Sequence, residues 1–239
     1  MTSAPHAAPA APPVLAATAL TKSYGPSTAL AGVDFRLQPG ESVAIMGASG
    51  SGKTTLLHCL AGIIPPDTGS VVLSTSAGAL ELTALDEAGR SRLRRESFGF
   101  VFQQGLLLPE LTAVENVALP LMLTGTDRRA AEQTAAMWLA ALGLAGFESR
   151  RIGQLSGGQA QRVAIARAQT TGAAVVFADE PTGALDSQTS AEVMDALIRS
   201  TTERGRSLVV VTHDETVAAR CSRVLRLADG RIVDGVSAR

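Results

Sequence analysis

The chain has 239 residues, of which 46% are hydrophobic and 18% charged, with a formal net charge of −1. That length admits one large α/β domain, or a domain with an inserted subdomain, around a sizeable core. Without a global basic field it lacks the electrostatics that hold nucleic acid. Cys59 and Cys221 lie far apart with no metal spacing, so no disulfide framework is expected and a reducing cytoplasm is the default.

Residues 1–13 are mostly alanine and proline. They lack a basic leader, and prolines interrupt any apolar run, so a disordered tail is expected rather than a signal peptide or membrane span. Strands are predicted at 14–20 and 33–37, with Gln38-Pro39-Gly40 as a turn. Between them Tyr24, the only tyrosine, offers a flat ring that would stack on a base; an edge-strand tyrosine is the plainer alternative.

The apolar run Ser42-Val43-Ala44-Ile45-Met46 leads into Gly47-Ala48-Ser49-Gly50-Ser51-Gly52-Lys53-Thr54-Thr55 and then Leu56-Leu57-His58-Cys59. This is strand, glycine-rich turn and helix, with G-x-x-x-x-G-K-[ST] met at every fixed position. Consecutive backbone N–H groups would cradle a polyphosphate at a helix N-terminus. Lys53, one of only two lysines, would reach the β- and γ-phosphates, and the Thr54 hydroxyl would serve Mg²⁺. Cys59 on the following helix reads as a small buried thiol.

Beyond Pro65-Pro66-Asp67-Thr68-Gly69, a strand is predicted at 71–73, a charged helix at 86–95, and a strand at Phe98-Gly99-Phe100-Val101-Phe102. The apolar stretch 105–126 is broken by Pro109, Glu110, Glu115, Asn116 and Pro120, which makes it a poor bilayer span; a soluble chain is expected. From 106 to about 153 the periodicity turns helical. In 127–142 it sets Ala131, Ala135, Trp138, Leu139 and Leu142 on one face, which reads as core. Strands resume at 174–178 and 207–212, and a hairpin at 224–227 and 231–233 turns at Asp229-Gly230. Strands alternating with helices imply a mainly parallel sheet covered on both faces.

Two of these strands end in chemistry. Ala174-Val175-Val176-Phe177-Ala178 runs into Asp179-Glu180-Pro181-Thr182, placing acids where open α/β sheets bind ligands. Asp179 would hold Mg²⁺ and Glu180 would polarise an attacking water; solvated loop acids are the bland alternative. Val209-Val210-Val211-Thr212 ends at His213, which would reach a γ-phosphate or that water. A further motif, Leu155-Ser156-Gly157-Gly158-Gln159, opens a helix with a serine N-cap. It exposes a second anion-ready helix terminus, although one ATP needs only one phosphate loop.

With that motif, everything after the tail resembles the nucleotide-binding subunits of ATP-binding cassette (ABC) transporters. Leu155 to Gln159 is similar to the family's signature sequence, in the family's order relative to the phosphate loop and Asp179-Glu180. The resemblance implies an α/β P-loop NTPase core with an N-terminal antiparallel β subdomain and an inserted helical subdomain. The core would cover 14–103 and 156–239, and the helical subdomain about 104–155. It implies that Tyr24 stacks on adenine and that Gln103 sits in the loop linking active site to membrane partner and serves the Mg²⁺. Gly183-Ala184-Leu185-Asp186 would be the inter-subunit loop, with Asp186 near nucleotide, and His213 the switch histidine.

Phe100-Val101-Phe102-Gln103, Leu111-Thr112-Ala113-Val114-Glu115-Asn116-Val117 and Ala178-Asp179-Glu180-Pro181-Thr182-Gly183 are similar to the macrolide-export and lipoprotein-release type. Departures are Ala160 for a usual glutamine, Gln169 with Thr170-Thr171-Gly172-Ala173 for a leucine-led stretch, and Ile152-Gly153 where proline often precedes the signature. None removes a catalytic group.

The expectation is therefore a Mg²⁺-dependent ATPase, working as a head-to-tail homodimer or paralogous heterodimer. ATP would be sandwiched between one phosphate loop and the partner's Ser156-Gly157-Gly158. Closure would drive a membrane permease at the cytoplasmic face, for export or extrusion, with no nucleic-acid partner. Control of an extracytoplasmic activity through a membrane partner, without transport, is the alternative. A DNA-repair or translation ATPase would need a coiled-coil insertion, a tandem cassette or a basic face, which the sequence lacks.

Overall fold

A computed structural model describes residues 12–237, and side chains as far as Asp234. Most of the expected tail therefore lies outside the described residues. Two sheets carry the chain. A four-stranded antiparallel sheet has the order β2-β1-β4-β5, with β1 (Leu15–Tyr24), β2 (Ser27–Leu37), β4 (Thr68–Thr75) and β5 (Gly78–Glu81). A six-stranded sheet has the order β10-β9-β3-β8-β7-β6. Its members are β3 (Ser42–Met46), β6 (Phe98–Phe102), β7 (Val175–Asp179), β8 (Ser207–Val211), β9 (Arg223–Ala228) and β10 (Arg231–Ser237). β10 runs antiparallel to β9, and the other pairings are parallel.

The parallel strands read as continuous apolar runs because both faces are covered, and their alternation divides the core in two. Val43 and Ile45, Val175 and Phe177, and Val209 and Val211 pack with α1 (Lys53–Leu60) and the antiparallel sheet. Ala44 and Met46, Val176 and Ala178, and Leu208 and Val210 face the opposite side. There they meet α3 (Ala113–Leu123), α4 (Arg128–Ala141), α5 (Gly157–Gln169), α6 (Ser187–Thr201) and the short α7 (Glu215–Ala218). The helices of the 104–155 segment share one continuous apolar core with α5 and α6. The remaining helix, α2 (Glu87–Ser97), starts on an Asp86 cap. Cys59 is buried in the first half of the core, and burial pushes its thiol up to about 11.

Several elements differ from expectation. β1 and β2 form one long hairpin running through Tyr24 and Ser27. A bulge between Ala17 and Leu20, with Ala19 at φ 49°, breaks the two-residue alternation that would have marked the longer strand. β5 had no apolar signal, and its residues are mostly exposed. Trp138 is half-buried, with the Arg204 and Arg206 guanidinium groups 4.5 and 5.7 Å from its ring centroid. Gln169 is fully buried and satisfied: its Nε2 donates to Thr201 Oγ1 at 2.7 Å, and its Oε1 accepts from Arg206 at 2.8 Å.

Candidate functional site

Adjacency in the parallel sheet builds the site. β8 lies between β3 and β7, so the three segments leaving their C-terminal ends converge: the phosphate loop, Thr212-His213, and Asp179-Glu180. A cavity of about 780 Å³ opens there, lined by loop residues from Gly47 to Thr55, by Glu180 and His213, and at its far end by Tyr24. Ligands of open α/β sheets sit at this edge.

The loop is folded for an anion. Gly47 has φ 156°, and a Cβ there would collide with the Leu227 carbonyl and with Ser51 Oγ, so only glycine fits. Ser51 Oγ is buried and has no hydrogen-bond partner among the described residues, an orphan that a phosphate oxygen would satisfy. Lys53 Nζ donates to the carbonyls of Gly47 and Ala48, each at 2.8 Å, which holds the ammonium across the mouth of the loop.

Opposite stand the acids. Thr54 Oγ1 points to Asp179 Oδ2 at 3.4 Å. Burial raises the Asp179 carboxyl above the usual range, only partly offset by His58, Thr54 and Lys53. Burial also lowers the His58 imidazole, while Asp179 draws it the other way. A cation beside Asp179 would relieve the buried carboxylate. No cluster of three or more His, Cys, Asp or Glu able to hold a metal exists among the described residues. A metal here would therefore combine Thr54 and Asp179 with oxygens of the substrate, a donor set that suits Mg²⁺.

Glu180 is pinned from several sides. Its backbone sits at φ 47°, unusual for a residue with a side chain, and its N–H donates to Val211 O at 2.9 Å. Its Oε1 lies 2.8 Å from His213 Nδ1, and its Oε2 accepts from Thr212 Oγ1 at 3.3 Å.

The remaining predicted residues lie apart from this cavity. Ser156 caps α5, accepting from Gln159 N–H at 3.3 Å, while Gln159 Oε1 accepts from Ser156 N–H at 2.9 Å. A Cβ on Gly158 would fall 2.5 Å from Thr189 Cγ2, so the start of α5 is pressed against α6. None of Ser156, Gly157, Gly158 and Gln159 lines the cavity. Asp186 caps α6 through Thr189 N–H at 3.0 Å. Gln103 follows β6, one strand beyond β7, with its amide against Gly183 rather than in the cavity. Sequence reasoning missed Ser27, Thr28 and Ala29, which line the cavity beside Tyr24; the only signal was the turn at Gly25-Pro26.

Comparison with known proteins adds a family. Residues 30–183 match the family described as ABC transporter. A lipoprotein-releasing system ATP-binding protein of Bordetella avium is 46% identical, covering 92% of this chain and 96% of that protein. A macrolide export ATP-binding/permease protein of Burkholderia thailandensis is 44% identical over 93% of this chain, which spans only 34% of that relative's length. Among solved structures, the dimeric post-hydrolysis state of an ATP-binding cassette bound to ADP and Pi superposes with a TM-score of 0.84. It is 38% identical, with 94% of this chain and 99% of that chain covered.

Proposed function

This chain belongs to the ABC transporter family and is an ATPase, and we propose that it hydrolyses ATP as one of two head-to-tail copies that drive a membrane permease in export or extrusion. One observation carries the two-copy reading. The phosphate loop, Glu180 and His213 share a cavity, with Asp179 held against Thr54 at its edge, whereas the capped start of α5 stands outside it. A second copy would bring its Ser156-Gly157-Gly158 and Gln159, with Asp186 nearby, over the ATP seated on the first. The nucleotide then belongs to the interface, so its binding favours the closed pair and its hydrolysis releases it.

Within each half-site Tyr24 stacks on adenine, the loop from Gly47 to Thr55 wraps the phosphates, and Lys53 leaves its carbonyl partners for the β- and γ-phosphates. Thr54 and Asp179, with Gln103 approaching from β6, would hold Mg²⁺, which when bound neutralises charge developing on the phosphates. Glu180 orients and polarises the water, and His213 holds the Glu180 carboxylate on one side and faces the γ-phosphate on the other.

The exposed side chains Leu106, Leu108, Met122 and Leu123 bracket residues 109–121. These exposed apolar side chains support docking of the permease there, whether on the same polypeptide or another. No helix among the described residues is long and apolar enough to cross a membrane, and the reading assigns the chain to the cytoplasmic face through that partner.

Glu180→Gln tests the paired mechanism, because it keeps the side-chain shape and removes the charge that polarises water. ATP should then persist and hold the pair closed. The variant should elute as a dimer with ATP and as a monomer without nucleotide, with steady-state turnover lost and only slow single-turnover hydrolysis remaining. An inactive variant that stays monomeric with ATP would overturn the two-copy reading.

A further inference from the structure

We propose that Thr212 is a positioning residue for ATP hydrolysis, setting the Glu180 carboxylate from the buried side of the site; this rests on Glu180 polarising the water. Thr212 is 1% exposed, next to the end of β8. Its hydroxyl accepts the Asp214 N–H at 3.1 Å and meets Glu180 Oε2 at 3.3 Å. A hydroxyl carries one proton. With Asp214 N–H donated into the oxygen, that proton is free to point at Glu180.

The backbone of Thr212 is fixed as well. Its N–H donates to Ile45 O at 3.2 Å, on the strand that feeds the phosphate loop. One buried residue therefore relates the water-activating carboxylate, through its hydroxyl, to the strand that positions the phosphates, through its backbone N–H.

The two partners of Glu180 differ in kind. The His213 side chain is 72% exposed and is free to move toward a γ-phosphate. Thr212 is buried, β-branched and restricted at χ1, so it stays in place when His213 moves. The 3.3 Å separation is long for O–H···O, as catalytic hydrogen bonds often are before substrate binding tightens them. A backbone at φ 47° further requires that neighbours over-determine where Glu180 points.

Thr212→Val keeps the shape and removes the donor, whereas Thr212→Ser keeps the donor and removes a methyl. On the purified full chain, Thr212→Val should lower kcat about tenfold, with KM and ATP affinity within about twofold of wild type. Thr212→Ser should retain most of the activity. In a Glu180→Gln background, single-turnover hydrolysis should show no further loss from Thr212→Val, because both act through one carboxylate.

If Thr212→Val does not fold once Asp214 N–H loses its acceptor, Thr212→Cys supplies the same contrast with a weak S–H donor, and its kcat should fall below that of Thr212→Ser. Wild-type kcat in Thr212→Val, an equal loss in Ser and Val, Cys matching Ser, or a multiplied loss in the Glu180→Gln background would each overturn the proposal. Wild-type hydrolysis by Glu180→Gln alone would instead remove the reading beneath it.

Discussion

The helix start after the phosphate loop and the start of α5 are both glycine-rich termini with a serine nearby, yet they are built in opposite ways. Around the phosphate loop, polar groups are left wanting: Ser51 Oγ is buried and unpartnered, Lys53 leans on two carbonyls, and Asp179 is a desolvated acid. At the start of α5 the cap closes on itself, with Ser156 and Gln159 exchanging two hydrogen bonds in a capping box. The acids near the two ends show the same contrast. Hydrogen bonds from Thr189 hold the Asp186 carboxyl below its ordinary range, whereas burial holds Asp179 above its own. A terminus whose side chains lack partners is organised by its ligand, and a terminus whose cap closes on itself is organised by its fold. The first should govern whether ATP binds, and the second whether bound ATP is used.

Lys53→Ala should give the largest effect. It removes a charge whose hydrogen-bond partners among the described residues are two carbonyls, so the fold loses little while the β- and γ-phosphates would lose a charge-assisted contact. Calorimetry should show ATP affinity falling by about a hundredfold or more, with unchanged circular dichroism. Unaltered affinity would remove the ligand-organised end of the comparison.

Ser156→Arg probes the other end. The chain alone should bind ATP within about threefold of wild type, a shift under about 0.7 kcal/mol, because Ser156 lies outside the cavity. On the two-copy reading hydrolysis needs the partner's α5 start, so it should be lost. Wild-type hydrolysis would reject the composite site; lost binding would mean that both termini serve one copy's own nucleotide.

The same contrast explains what could be read from sequence. The phosphate loop, Asp179-Glu180 and His213 were legible because each follows an apolar run of a buried parallel strand, and the ligand dictates residue types at fixed spacing. The convergence of Glu180 on Thr212 was not, since it depends on β8 lying between β3 and β7. Nor was the role of Asn116, one of the polar residues interrupting 105–126. It is fully buried, its Oδ1 accepting from Leu108 N–H at 2.8 Å and its Nδ2 donating to the carbonyls of Leu108, Leu111 and Thr112. In composition it looked like a break, whereas in space it clasps the preceding loop onto α3. Pro120 lies inside that helix, where it forfeits one backbone donor. Trp138 fitted the apolar stripe of α4 by periodicity, but position on a helix face carries no information about two arginines arriving from the α6–β8 turn.

The smallest effect is expected at Asp179, and its sign is the informative part. Burial is the largest influence on this carboxyl and raises it, while His58, Thr54 and Lys53 pull it back. A carboxyl whose folded value exceeds its unfolded one disfavours folding while it is ionised in the folded state. That cost disappears as pH falls through the folded value and the group takes up its proton. Asp179→Asn keeps the shape, stays neutral at every pH, and escapes the penalty. Without nucleotide, its Tm at pH 8 should therefore equal or exceed that of wild type, and the margin should narrow as the buffer is taken toward pH 4. With ATP and Mg²⁺ the order should reverse, because the same carboxylate that burdens the empty fold is the one the proposed Mg²⁺ site would use. A lower Tm for Asp179→Asn at pH 8 without nucleotide would mean that the attraction of Lys53 and the Thr54 hydroxyl outweighs desolvation. The phosphate-loop end would then be organised by its own fold after all, as the start of α5 is.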